Sequence, residues 1–159
     1  MQMLAKLQWE NDQVKSMLDA ENPNVIFAAF NAAATAWHLI DWIKTFSRVH
    51  PNQPRPNIDV AAYRNDAISR CPELGACRQL SVGWKHRVID DHNNPQVQAL
   101  HVIDFFVETE NGLPKDGLPP ARIRRRPAIY DAGQVVSLDV FFERVTQFWS
   151  DELARLRFK

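Results

Sequence analysis

The sequence predicts a mainly α (α+β) fold: a four- or five-helix bundle with a small antiparallel β-sheet inserted before the C-terminal helix. Three observations carry that reading. Val25 to Ile43, VIFAAFNAAATAWHLIDWI, is apolar around nearly the whole helical circumference, the pattern of a helix enclosed by neighbours. Near the C-terminus, Leu138, Phe141, Phe142, Val145, Phe148, Trp149, Leu153 and Leu156 recur at helical spacing and form a strongly amphipathic stretch. After His86 the residue types change to Val, Ile and Phe runs broken by turn residues, which read as strands. At 159 residues the chain suits a single domain, 1–159, with the bundle in 2–86 and 137–157 and the β insertion at about 87–136.

The elements follow in order. From Gln2 to Glu21, apolar Met3, Leu4, Leu7, Val14, Met17 and Leu18 predict a first helix. Asn22-Pro23 reads as an N-cap and a proline in the first helical position, opening the second helix. So short a link predicts an antiparallel helix pair. The second helix is expected to end before Ser47 to Asn57, SRVHPNQPRPN, whose three prolines make a stiff loop. Ile58 to Arg70 follows as a third helix capped by Asn57, and Cys71-Pro72 breaks it. A fourth helix runs from Pro72 to about Trp84, with Leu74, Cys77, Leu80 or Ser81, and Trp84 on its buried face. Arg87 to Asp90 and Ala99 to Glu108 flank a polar turn, DHNNP, and predict an antiparallel hairpin. Asn111 to Pro120, with two Gly and three Pro, reads as a loop. Pro127 to Tyr130 and Gln134 to Val136 predict a second short hairpin across Asp131-Ala132-Gly133. Ser137 is the expected cap of the last helix, Leu138 to about Leu156, with Asp139 in its first turn.

Composition narrows the function classes. Lys and Arg number 19, and so do Asp and Glu, so the formal net charge is zero. A protein whose whole surface attracts nucleic acid is thereby excluded, while a local basic patch is not. Cys71 and Cys77 are the two cysteines. They imply no disulfide framework, and a reduced, cytoplasmic location is the expectation. Six residues apart and without a second pair, they make a poor zinc signature. Met1 to Glu10 lacks a basic start followed by an apolar run, so no signal peptide is expected. The Val25–Ile43 stretch is long enough for a membrane, but Asn31, His38 and Asp41 are costly there, and mean hydropathy is −0.35. No membrane association is expected.

Within the second helix, Asn31, Thr35, His38 and Asp41 read as a polar seam in an otherwise apolar core. A seven-residue step returns to within about 20° of the same face, so Asn31, His38 and Thr45 form one stripe, with Asp41 one turn on from His38. Asn31, His38 and Asp41 are expected either to satisfy one another inside the core or to line a cleft. The fourth helix offers a second cluster. Arg78, Ser81 and Lys85 are spaced to share one face, and His86 follows at the C-terminus, where the helix dipole favours cations. Such a group can grip a phosphate, and a histidine there can shuttle a proton. Arg122, Arg124, Arg125 and Arg126, in the run RIRRR between a loop and a hairpin, are candidate nucleic-acid-binding residues. The plain alternatives are a solvated helix face, a C-capping histidine and a basic run answered by acidic segments such as Asp90-Asp91. A metal site built on His38, Asp41 and His86 has no further ligand fixed by spacing. No metal and no cofactor are expected, and His50, His92 and His101 show no ligand-like spacing.

On Arg78, the polar Gln79 that follows it, and His86, the chain resembles the HEPN (higher eukaryotes and prokaryotes nucleotide-binding) superfamily. These are four- or five-helix proteins of bacterial defence and toxin–antitoxin systems. Their motif places an Arg, a polar residue, a short spacer and a His at the end of a core helix. In this chain the spacer is longer, and Val82 stands where related segments often carry Asn. The chain also looks like a group of small bacterial proteins with an A-x-H-x-x-D-W helix and a C-R-x-L-x-x-G-x-K-H segment. The matching residues are Ala36, His38, Asp41 and Trp42, then Cys77, Arg78, Leu80, Gly83, Lys85 and His86. The resemblance implies metal-independent RNA cleavage at the interface of a homodimer, together with a partner such as an antitoxin or another defence component. Arg78 would orient or neutralise the phosphate, and His86 would act as acid or base, with Lys85 beside it. The alternative is a non-catalytic interaction module that dimerises through its aromatic residues, with Trp37, Trp42, Phe141, Phe148 and Trp149 supplying the apolar surface.

Overall fold

In the computed structural model of the chain, residues 2–20, 22–49, 59–86, 97–106, 123–131 and 134–156 are described. They form five helices and three strands: α1 (Gln2–Asp19), α2 (Val25–Val49), α3 (Val60–Arg70), α4 (Glu73–His86), β1 (Val97–Phe106), β2 (Ile123–Asp131), β3 (Gln134–Ser137) and α5 (Leu138–Arg155). The predicted class is therefore observed: a mainly helical fold with a small antiparallel sheet ahead of the C-terminal helix.

Helix α2 is the axis of the molecule, since α1, α3, α4 and α5 all pack against it. Its composition explains why. Ala32, Ala33 and Ala36 are fully buried, and such small side chains let neighbouring helices come close. Leu39, Ile40 and Ile43 fill the space beyond them. Across from these, α5 buries Phe141, Phe142, Val145, Trp149 and Leu153, with the Phe141 and Phe142 rings edge to face at 5.0 Å. The amphipathic stripe read in the sequence is thus the inner face of α5.

Helix starts differ from expectation in instructive ways. Proline occupies position 23, yet α2 begins at Val25, because the Asn22 side chain accepts from the Asn24 N–H at 2.9 Å and holds a turn first. α3 is capped by Asp59 rather than Asn57: the Asp59 carboxylate accepts from the N–H groups of Ala61 and Ala62 at 2.9 and 3.4 Å. Ser137 does precede α5, but its hydroxyl makes no capping hydrogen bond.

The sheet has the order β1-β2-β3, antiparallel throughout. The expected short hairpin is present, with Ala128 opposite Ser137 and Ile129 opposite Val136. β2 is longer than predicted and contains Ile123 to Arg126, so most of the basic run belongs to a strand rather than to a loop edge. β1 pairs with β2 along nearly its whole length. The expected partner of β1, residues 87–90, and the turn after it lie outside the described residues. Pro127 stands one residue past the last β2–β3 pair, where β2 is paired on one side only and a missing N–H is tolerated. Ala128 and Ile129 are fully buried, and Ile129 joins the main core, which anchors the sheet to the bundle.

Candidate functional site

The polar seam of α2 faces outward. Asn31, His38 and Thr45 are exposed and Asp41 is partly exposed; Thr35 alone of the group is buried. This corrects the reading of a core network. Four helices cover most of the α2 circumference, and the seven-residue recurrence of Asn31, His38 and Thr45 marks the narrow strip left to solvent. Thr35 lies on the inner side, where its hydroxyl accepts from the Lys6 ammonium, which also pairs with buried Glu10.

Part of that strip gathers charges from three helices around Trp37. From α3, Arg64 places its guanidinium carbon 5.5 Å from the Trp37 ring centroid, and from α4, Arg78 places its own at 5.8 Å. Both distances are within cation–π range. The Arg64 Nη2 also donates to Asp41 Oδ1 at 2.6 Å. His38 Nδ1 stands 3.7 Å from the other oxygen of the same carboxylate. Asp41 therefore serves Arg64 and His38 together, whereas Arg78 is exposed and has no carboxylate partner among the described residues. Ser81, one turn on, donates its hydroxyl to the Arg78 carbonyl at 2.8 Å. Asn31 lies two turns back along α2, apart from this cluster.

The other candidates are placed by backbone alone. α4 is continuous from Arg78 to His86, which sets the two residues about 12 Å apart along the axis. The side chains of Lys85 and His86 lie outside the described set. Arg124, Arg125 and Arg126 stand in β2 opposite Phe105, Asp104 and Ile103, so an acidic position faces the middle arginine across the pair. Arg122 lies outside the described residues. Among the described residues no group of three His, Cys, Asp or Glu side chains is placed to hold a metal ion, and no helix is long and apolar enough to cross a membrane.

A second polar centre was missed by the sequence reading. Glu152, 2% exposed, is set into the inner face of α5. It accepts from Tyr63 Oη at 2.8 Å, from Arg70 Nη1 and Nη2 at 2.7 and 3.0 Å, and from Arg155 Nε and Nη2 at 2.8 and 2.7 Å. Burial pushes its carboxyl up, but the hydrogen bonds from Arg155, Arg70 and Tyr63 outweigh this and bring it down to about 2. Burial and the adjacent Glu152 carboxylate push the Tyr63 phenol well above its ordinary value. The signal was available in the spacing, because Glu152 falls on the apolar stripe between Trp149 and Leu156. With every acceptor site occupied and α3 and α5 tied together, the centre fits a structural clamp rather than a reactive group. Cys71 and Cys77 are free thiols, both buried. Burial, helped by Glu73, pushes Cys71 up to about 12, which leaves little thiolate for chemistry at neutral pH.

The aromatic residues that motivate an interaction module are largely consumed by the fold. Trp149 and Phe141 are buried, Trp37 lies under the two arginines, and Trp42 and Phe148 pack against the core. Among the described residues, the exposed large aromatics are Trp9 and Phe27, at 60% and 52%. The chain matches no family model, no curated protein and no solved structure.

Proposed function

We propose that this chain is a HEPN-like RNA-binding protein that cleaves RNA without a metal. In this reading Arg78 holds a phosphate of the strand, and His86 exchanges protons with the ribose 2′-hydroxyl and the leaving oxygen. The observation that carries it is the setting of Arg78. Its guanidinium lies over Trp37 and meets no described carboxylate. Arg78 is exposed at this position, and a solvent-facing guanidinium suits a phosphate through its N–H fork.

The axial separation of about 12 Å between Arg78 and His86 is long for one phosphodiester to be shared by two side chains of a single copy. The proposal therefore pairs Arg78 of one copy with His86 of a second across a two-fold axis, in keeping with the dimer that the resemblance implies. Cleavage of a mixed RNA pool in EDTA tests both parts. Wild-type protein is expected to cleave, while Arg78→Ala and His86→Ala are each silent. Mixing the two variants is expected to restore roughly a quarter of the wild-type rate, since half of the dimers then carry one intact composite site. Silence from the wild type removes the catalytic claim and leaves an RNA-binding or protein-binding module. Activity in His86→Ala removes the assignment of the proton-transfer group.

A further inference from the structure

We infer that Arg64 is a second phosphate-binding group of this site, and that the Asp41 carboxylate occupies the position a strand phosphate takes when RNA binds. The inference rests on the RNA-binding reading above and extends it to residues on two other helices. Arg64 and Arg78 come from different helices yet lie over the same indole, so the fold brings two guanidinium groups to one place. Among the described residues only Arg64 of the two is engaged by an acid, with Nη2 2.6 Å from Asp41 Oδ1.

A carboxylate oxygen and a phosphate oxygen present the same kind of acceptor to a guanidinium, and arginine binds both through its N–H fork. Asp41 is thus a built-in stand-in for the ligand. Both side chains of the pair remain partly open to solvent, at 38% and 46% for Arg64 and Asp41. An ion pair so exposed is held weakly and is screened by salt, so a polyanion can displace it. Displacement also leaves Asp41 facing His38, whose Nδ1 already stands 3.7 Å away; the freed carboxylate therefore keeps a neighbour. The arrangement makes the site selective for ligands with at least two linked phosphates: one phosphate satisfies Arg78, and a second is needed to compete with Asp41.

The test is binding of a labelled oligouridylate with 2′-O-methyl riboses, which cannot be cleaved through the 2′-hydroxyl, measured by fluorescence anisotropy at low salt. Asp41→Asn is expected to tighten binding about fivefold and Arg64→Gln to weaken it by a similar factor, on the scale of one exposed charge contact. In the Arg64→Gln background Asp41→Asn is expected to give no gain, and Asp12→Asn, a charge change on α1, is expected to give little. An equal gain from Asp41→Asn with and without Arg64 overturns the inference, because the effect is then one of net charge. Weaker binding in Arg78→Ala with no change in Asp41→Asn or Arg64→Gln overturns it while leaving the RNA-binding reading in place. Absence of binding by the wild type and by Asp41→Asn alike overturns that reading, and the inference with it.

Discussion

Glu152 shows how a single residue sets both stability and its dependence on pH. Its carboxylate is fully lodged among Tyr63, Arg70 and Arg155, and its pKa of about 2 lies below the ordinary carboxylate value. The folded state therefore binds fewer protons than the unfolded state between those two values. The stabilisation is complete above about pH 5 and is lost as pH falls towards 2. Glu152→Gln is expected to destabilise the protein by about 2–3 kcal/mol at neutral pH. Urea unfolding at pH 7 and pH 3 checks this: the gap between wild type and variant should narrow to about half at the lower pH. A gap that stays constant would show that the charge is irrelevant and that shape alone matters. The same residue was legible in principle, since a lone acid within a run of Phe, Trp and Leu at helical spacing has to be buried. Its partners were not legible, because Tyr63 and Arg70 are distant in sequence and reach Glu152 from another helix, α3, only in the folded chain.

Among elements, the helices were read more fully than the strands. Apolar spacing located α1, α2, α4 and α5, because a helix declares its period within its own sequence. Strand pairing depends on a distant partner, and so the pairing of β1 with β2 was not foreseen, while β2 was cut short at Pro127. The polar stripe of α2 was found by its seven-residue recurrence, but its place was left open between a satisfied core network and the lining of a cleft. Recurrence of polar residues on one face marks contact with something other than apolar neighbours, and here that is solvent. Caps are the finest element-level detail and the easiest to test. Asp59 accepts two backbone N–H groups at the start of α3, whereas the Ser137 side chain accepts none at the start of α5. Asp59→Ala is expected to cost about 1 kcal/mol and Ser137→Ala no more than a few tenths, both read from the urea midpoint. Equal losses would contradict the assignment of these caps.

At the scale of the whole molecule, zero net charge conceals a local arrangement. α2 presents Trp37, His38 and Asp41 along one edge, and α3 and α4 bring Arg64 and Arg78 over the same ring. No single helix contains this site; it exists because α2 is central and the others pack around it. That is why the sequence reading found Arg78 and Asp41 separately and could not join them, and why it passed over Arg64. The most direct test is the affinity of wild-type protein and Arg78→Ala for single-stranded RNA that resists cleavage, measured across a salt series. An arginine that holds a phosphate predicts about tenfold weaker binding in the variant, and a salt dependence reduced by about one released counterion. Equal affinity and equal salt dependence in the two proteins would contradict the account, and Arg78 would then be no more than an exposed side chain resting on Trp37.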